Sequence, residues 1–178
     1  MSGWSRYAPD KVIQVGWRTI TRKHFVLPDG TRHEFDTIEV VGKQVVAVVA
    51  LTTDNQVIIA QQFRSGPEKL LDELPGGMVE AGEQPVDAVV RELLEETGYV
   101  VGKIEPLGLA LDDGYSNIER HYFFASECTQ IAAQTLEAAE DVHVKLISVD
   151  ELLRNARQAK MTDPLAVFYA QERLELLQ

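Results

Sequence analysis

Positive charge and long apolar runs are scarce in this sequence of 178 residues. It has 17 lysines and arginines against 28 aspartates and glutamates, a net charge of −11. This balance argues against a nucleic-acid partner, because such binders neutralise phosphates with clustered cationic side chains. No run approaches the roughly 18 apolar residues of a membrane span, and the first residues lack the apolar core of a signal peptide. We therefore expect a cytoplasmic protein that does not bind membranes.

Cysteine is also rare, since Cys128 is the only one. A single cysteine excludes an intrachain disulfide framework and suits a reducing compartment. It is weakly supported as a nucleophile, because no histidine motif accompanies it. The hydrophobic content of 45% is ordinary for a globular protein, and the length fits one domain with a sizeable core.

Three glutamates on one face of a predicted helix are the clearest chemical feature. Residues 84–97 have helical periodicity, with Pro85 in the first turn, where a helix tolerates proline. Glu92, Glu95 and Glu96 have the spacing of neighbours on a helix, so their charges repel unless a cation neutralises them. Mg²⁺ prefers such oxygen ligands and shares them with substrate phosphates. The alternative is a solvated charged face, which is the norm for such helices.

A glycine loop, Pro75-Gly76-Gly77, comes shortly before this helix. Glycine lets the backbone approach a site closely. The Gly76 carbonyl is therefore a candidate for a further metal ligand.

Strand-like segments surround the loop and helix. Near the start, residues 12–20 and 23–27 precede a turn at residues 28–30 and a strand near residues 33–41. Further strands are predicted at residues 45–51 (apolar on both faces and hence central), 57–64, 69–74, 101–111, 119–126 and 142–147. Helices are predicted at residues 148–159, from a capping box, and at residues 163–177.

The spacing of residues 77–98 resembles the Nudix box, the signature of hydrolases acting on nucleoside diphosphates linked to another group. The matching positions are Gly77, Glu83, Arg91, Glu92, Glu95, Glu96 and Gly98. The family usually has a small aliphatic residue after the last glycine, where this sequence has Tyr99; that position concerns packing rather than chemistry. Arg91 is expected to orient a carboxylate rather than to touch the substrate.

Similarity to the ADP-ribose pyrophosphatase branch of this family extends over nearly the whole chain. It rests on the N-terminal β unit with its Pro-x-Gly turn, on Gln-Phe-Arg at residues 62–64 and on Glu-Leu-Pro-Gly-Gly at residues 73–77. The resemblance implies an α/β (α+β) Nudix fold, with a mixed β-sheet between helices and an N-terminal antiparallel β unit. It implies a β unit at residues 1–42, exchanged between the subunits of a homodimer, and a catalytic domain at residues 43–178.

The resemblance also implies roles for individual residues. Mg²⁺, or else Mn²⁺, would be bound by Gly76, Glu92, Glu95 and Glu96, of which Glu92 and Glu96 count as catalytic. Trp17, eleven residues before Pro28, and Phe35, seven after it, stand where relatives place two aromatic residues that sandwich the base. Arg64 and Glu73 flank the glycine loop and are candidates for substrate binding. Glu140 is the candidate general base, with Glu137 and Asp141 as rivals.

The implied reaction is hydrolysis of a nucleoside diphosphate sugar, such as ADP-ribose, to a nucleoside monophosphate and a sugar phosphate. ADP-ribose-specific members tend to have a proline sixteen residues beyond the last box glycine, where this chain has Gly114. A different nucleoside diphosphate sugar is therefore an alternative substrate. Tyr115 keeps a dinucleoside polyphosphate or other nucleotide hydrolase as an alternative. A nucleotide-sensing module without hydrolysis is less favoured, because all the box carboxylates are present.

Overall fold

The structure, a computed structural model, describes residues 3–16, 18–39, 44–136 and 140–175. The chain divides into two compact units. The first comprises Met1–Lys43 and Leu111–Glu119, and the second comprises Gln44–Ala110 and Arg120–Gln178. The domain boundary expected after residue 42 stays a prediction, and the first unit also contains the distant segment Leu111–Glu119.

The first unit is built around one central strand. Its strands are β1 (Ser5–Arg6), β2 (Lys11–Val15), β3 (Arg18–Val26) and β4 (Arg32–Glu39). Strand β3 pairs antiparallel with each of the others. The turn at residues 28–30 is confirmed, with Asp29 accepting a hydrogen bond of 2.9 Å from the Thr31 N–H. The expectation of one strand over residues 12–20 is wrong, because the chain turns at Gly16, whose φ of 60° suits glycine.

The second unit contains a seven-stranded sheet within the described residues. Its strands are β5 (Gln44–Thr52), β6 (Val57–Arg64), β7 (Lys69–Glu73), β8 (Tyr99–Val100), β9 (Lys103–Leu111), β10 (Glu119–Gln130) and β11 (Val142–Ile147). The main order is β11-β6-β5-β10-β8, with β7 also paired to β6 and β9 to β10. The apolar strand predicted at residues 45–51 is therefore central, as expected.

Helices cover both faces of this sheet. They are α1 (Pro85–Thr97), α2 (Val149–Arg157), α3 (Pro164–Tyr169) and α4 (Gln171–Glu175). Because side chains alternate along a strand, Val46, Val48 and Ala50 of β5 pack with α1, whereas Ala47, Val49 and Leu51 pack with α2, α3 and α4. The predicted arrangement of a sheet between the box helix and the last helices is confirmed.

The segment after β7 inserts between β5 and β6. Strand β7 pairs with the second half of β6, between Ala60 and Arg64. The chain then crosses to β5, where the Val48 and Val46 N–H groups donate to the Pro75 and Gly77 carbonyls at 3.0 and 2.9 Å. These bonds fix the glycine loop at the centre of the sheet.

The predicted helix starts agree with the structure at α1 and α2, whereas α2 ends at Arg157, two residues before its predicted end. Pro85 begins α1, Gly98 ends it with a φ of 75°, and the Ser148 side chain caps α2 by accepting from the Glu151 N–H at 3.2 Å. The single helix expected over residues 163–177 is wrong within the described residues. It is broken at Ala170, whose N–H closes α3 on the Ala166 carbonyl.

Replacing Gly98 with alanine should destabilise the protein strongly. Its positive φ strains any side chain, and a Cβ there would lie 2.1 Å from the Ala132 carbonyl oxygen. Gly82 is a matched control, with a φ of 87° but no atom within 4 Å of the position that a Cβ would take. We expect urea unfolding to show a loss of about 1–2 kcal/mol for Gly82→Ala and about 3 kcal/mol or more for Gly98→Ala. Equal losses would mean that contact with Ala132 does not matter.

Candidate functional site

Two glycines let the loop and helix α1 meet closely. A Cβ on Gly76 would lie 2.1 Å from the Val46 carbonyl oxygen, so the loop can lie flat on β5 only with glycine there. A Cβ on Gly77 would lie 2.3 Å from Glu92 Oε1. The two positions therefore bring backbone within reach of the α1 carboxylates.

Glu96 is the most buried of the three α1 glutamates. Only 5% of it is exposed, and its Oε2 accepts a hydrogen bond of 3.0 Å from the Gly76 N–H. The Pro75 and Gly77 carbonyls already accept bonds from β5, which leaves the Gly76 carbonyl as the loop's candidate ligand. The backbone of the loop and the acidic face of the helix thus form one wall of a site.

Arg91 links the acidic residues of this wall. Its guanidinium donates to Glu83 at 3.0 and 3.1 Å, to Glu92 at 3.0 Å and to Glu95 at 2.9 Å. A further bond of 3.2 Å goes to the Met78 carbonyl. The bonds to Arg91 lower the pKa of Glu83, and Glu83 in turn raises the pKa of Arg91. Arg91 therefore orients carboxylates, the role expected from the sequence.

A second part of the site has an arginine fixed by a buried carboxylate. Arg64 Nε donates to the two oxygens of Glu73 at 2.8 and 2.9 Å, and Nη2 contacts Glu73 as well. Gln62 donates to the same carboxylate at 3.3 Å. Glu73 is only 3% exposed, whereas about half of the Arg64 side chain is accessible. Glu73 therefore fixes the orientation of Arg64, and part of the Arg64 guanidinium stays accessible.

Arg64 and the acidic face of α1 line one cavity of about 550 Å³. Glu140 and the segment containing Thr135 and Leu136 line it together with Arg64 and the α1 carboxylates. The structure therefore brings together Arg64, Gly76, Glu92, Glu95, Glu96 and Glu140 as the sequence predicted. Of the rival bases, Glu137 lies outside the described residues. Asp141 is strongly exposed and forms an ion pair of 3.3 Å with His143.

Negative charge accumulates in this cavity. Burial raises the pKa of Glu96 to about 8, with additional contributions from Glu92, Glu140 and Glu73. Burial likewise raises the pKa of Glu92. A divalent cation would relieve this unfavourable charge, and the donor set of carboxylates and a carbonyl consists of hard oxygens.

The carboxylates do not form a closed cage. Among the residues that the structure describes, no three histidine, cysteine, aspartate or glutamate side chains are grouped as a metal cage. The carboxylates instead face Arg91 and the Gly76 N–H. Such an open set fits Mg²⁺, which keeps several waters and takes few protein ligands.

A separate aromatic cluster lies in the first unit. Of the two predicted base-binding residues, Trp17 lies outside the described residues. Phe35 packs with Phe25 and Trp4, with ring centroids 6.1 Å apart in each pair. These rings line a cavity of about 600 Å³ with Tyr115. Sequence reasoning missed Trp4, because only the pairing of β1 with the far end of β3 brings it beside Phe35.

Comparison with known proteins identifies the family. Residues 42–169 match the NUDIX domain model. The chain belongs to the Nudix family. The chain is a Nudix hydrolase, and the family resemblance seen in its sequence is confirmed.

Relatives cover most of this Nudix hydrolase. It is 31% identical to the methanol dehydrogenase activator of Bacillus methanolicus and 30% identical to the ADP-ribose pyrophosphatase of Bacillus subtilis, in both cases over 82% of this chain and 78% of the relative. The ADP-sugar pyrophosphatase of Mus musculus is 30% identical over 63% of this chain and 56% of its own length. These matches support the ADP-ribose pyrophosphatase branch.

The fold is also found among solved structures. A crystal structure of an ADP compounds hydrolase superposes with a TM-score of 0.75, covering 96% of this chain and 97% of the other. Its sequence identity is 16%, so the likeness shows the fold alone. Within the described residues, the Nudix hydrolase has no helix of the length and apolar character needed to cross a membrane.

Glu96 should make the stability of the metal-free protein depend on pH. Its folded pKa of about 8 exceeds the ordinary 4.5, so its contribution is present below pH 4.5 and is lost as the pH rises to about 8. The free energy of unfolding should therefore fall as the pH rises from 4.5 to about 8, and Glu96→Gln should remove a few kcal/mol of this fall. Urea unfolding in the presence of a chelator at several pH values measures how the free energy of unfolding depends on pH. The control is Glu172→Gln, at a side chain that is 88% exposed. An unchanged pH slope in Glu96→Gln would assign the decline to another group.

Proposed function

We propose that the protein is a Mg²⁺-dependent hydrolase that cleaves the diphosphate of a nucleoside diphosphate sugar, ADP-ribose or a related compound. The products would be a nucleoside monophosphate and a sugar phosphate. The main support is the cavity lined by both the acidic face of α1 and Arg64. The names of the Bacillus subtilis and Mus musculus relatives support the substrate class.

The α1 wall would hold the metal. Glu92, Glu95, Glu96 and the Gly76 carbonyl are the proposed ligands of Mg²⁺, with Mn²⁺ as the alternative. The ion would neutralise charge on the non-bridging oxygens of the diphosphate. An acidic protein with a net charge of −11 needs such a cation to accept an anionic substrate.

Arg64 would bind the diphosphate from the other side. Glu73 uses the Nε side of the guanidinium and leaves part of this planar group facing the cavity. The substrate-binding role predicted for Glu73 is then indirect, because its carboxylate is buried beneath Arg64. A fixed arginine binds a phosphate with little loss of side-chain entropy.

Glu140 is the proposed general base. It lines the same cavity as the α1 carboxylates, and its charge adds to the effect of burial in raising the pKa of Glu96. A carboxylate so placed can accept the proton of an attacking water. Asp141 is not among the described residues that line this cavity, so it is less suited to this task.

The first unit would bind the base. Phe35 lies in an open aromatic cavity, where a flat ring can stack, and we retain Trp17 as its proposed partner. We further propose a cytoplasmic homodimer in which the N-terminal β unit is exchanged between subunits. Size-exclusion chromatography with light scattering measures the oligomeric state.

A dinucleoside polyphosphate is the second candidate substrate. Tyr115, which raised this alternative in the sequence, borders the aromatic cavity of the first unit. A second base could stack on an exposed ring such as Tyr115, which is 62% exposed. Comparing the hydrolysis of ADP-ribose with that of diadenosine polyphosphates separates the two candidates.

A product assay tests the proposed function. Purified protein with Mg²⁺ or Mn²⁺ should hydrolyse ADP-ribose or another member of a panel containing ADP-glucose, GDP-mannose, UDP-glucose and diadenosine polyphosphates. Glu96→Gln should retain less than a tenth of the wild-type rate, because a ligand of the ion is lost. Glu172→Gln, at an exposed position on α4, should keep full activity.

Two results would count against the assignment. A wild-type protein that releases no monophosphate from any nucleoside diphosphate sugar would exclude the proposed substrate class. A Glu96→Gln variant with more than a tenth of the wild-type rate would exclude the metal-binding role of Glu96.

Replacing Phe35 with alanine should weaken substrate binding more than turnover. Loss of base stacking should raise KM by about tenfold while kcat stays within about threefold, since stacking is worth roughly 1–3 kcal/mol per base. Phe168→Ala, which removes an exposed ring from α3, is the control. Steady-state kinetics on folded protein, verified by thermal unfolding, gives both constants. An unaltered KM would remove Phe35 from the base site.

A further inference from the structure

The C-terminal end of α1 is capped by a distant segment of the chain. The last carbonyls of a helix have no partners inside the helix. Here the Thr135 N–H donates to the Glu95 carbonyl at 2.8 Å, and the Ile131 N–H donates to the Gly98 carbonyl at 2.9 Å. The Gln134 side chain donates to the Glu96 carbonyl at 2.5 Å. Residues 131–135 therefore hold the turn that contains Glu95 and Glu96.

Gln134 reaches a second element with the same amide group. Its Nε2 also donates to the Val142 carbonyl at 2.9 Å. A primary amide has two N–H donors, so both bonds can form at once. Val142 begins β11 and lies two residues beyond Glu140. One side chain thus joins the helix of the acidic cluster to the strand that follows Glu140.

We propose that Gln134 is a positioning residue, which holds Glu140 at a fixed place relative to Glu92 and Glu96 by joining the last turn of α1 to the start of β11. This inference rests on the proposed function only for its effect on turnover. The arrangement of the three elements is a property of the fold.

The charges in the cavity explain why such a link is needed. Glu140 carries the same charge as Glu92 and Glu96 and lines the same cavity. Repulsion favours any movement that takes Glu140 away from α1. Val142 is paired with Gln62 in the sheet, but Glu140 precedes the first residue of β11. The two bonds from Gln134 oppose that movement close to Glu140.

The Gln134 side chain can be replaced without removing the backbone hydrogen bonds that cap α1. Thr135 and Ile131 cap α1 through their N–H groups, so replacing the Gln134 side chain leaves these bonds intact. Methionine is similar to glutamine in length and shape but donates no hydrogen bond. Gln130→Met, at an exposed position of β10 four residues earlier, is the matched control.

Hydrogen exchange tests the positioning without any substrate. Gln134→Met should increase amide exchange at residues 140–142 by tenfold or more, because the link that limits local opening is lost. Exchange in the first two turns of α1 should stay as in the wild type. Unchanged exchange at residues 140–142, or equal increases throughout α1 and β11, would overturn the inference.

Kinetics of a double-mutant cycle tests the consequence for the reaction. Gln134→Met should lower kcat on the order of tenfold or more with KM within about twofold, because small displacements of a reacting group slow chemistry strongly. In the Glu140→Gln background the same change should have little further effect, since Gln134 acts through Glu140. Gln130→Met should change neither constant.

Additive losses, or an unchanged kcat in Gln134→Met, would overturn the role of Gln134 in the reaction. Failure of the proposed function is a separate result. It would appear as a wild-type protein inactive on the whole panel, and the exchange experiment would still decide whether Gln134 positions Glu140.

Discussion

The close contact between the glycine loop and the centre of the sheet controls the rest of the second unit. Two backbone bonds from β5 hold Pro75 and Gly77, and the space around Gly76 admits no side chain. With the loop fixed, the Gly76 N–H donates to the Glu96 carboxylate of α1. A backbone anchored in a close-packed core moves little, so it can serve as a rigid reference for flexible acidic side chains.

The cavity is assembled from parts that are far apart in the sequence and independently secured. Glu73 fixes Arg64 on one wall, and Arg91 fixes glutamates on the other. Arg64 thus has a buried partner behind it, and Glu92 and Glu95 share a half-buried one. This arrangement limits the side-chain entropy that would be lost when a ligand binds, which is the usual benefit of preorganisation.

Local sequence patterns predicted the features that depend on residues close together in the chain, such as strand ranges and helix faces. The strand Val142–Ile147 agrees with the predicted range at both ends, and the acidic face of α1 follows from helical spacing. The break at Ala170 escaped prediction, because neither glycine nor proline marks it and buried residues on both sides keep the same period. Trp4 and Gln134 were missed for another reason: their contacts join segments that only the folded sheet brings together.

Arg91 would affect how tightly a cation binds to the carboxylates of the second unit. It already acts as an internal counter-ion, sharing its guanidinium among Glu83, Glu92 and Glu95. At the proposed metal site, a cation would have to compete with this guanidinium for the oxygens of Glu92 and Glu95. Part of the attraction between the ion and these carboxylates would therefore be offset in advance, and the proposed site would fill at a higher free ion concentration than bare carboxylates would require.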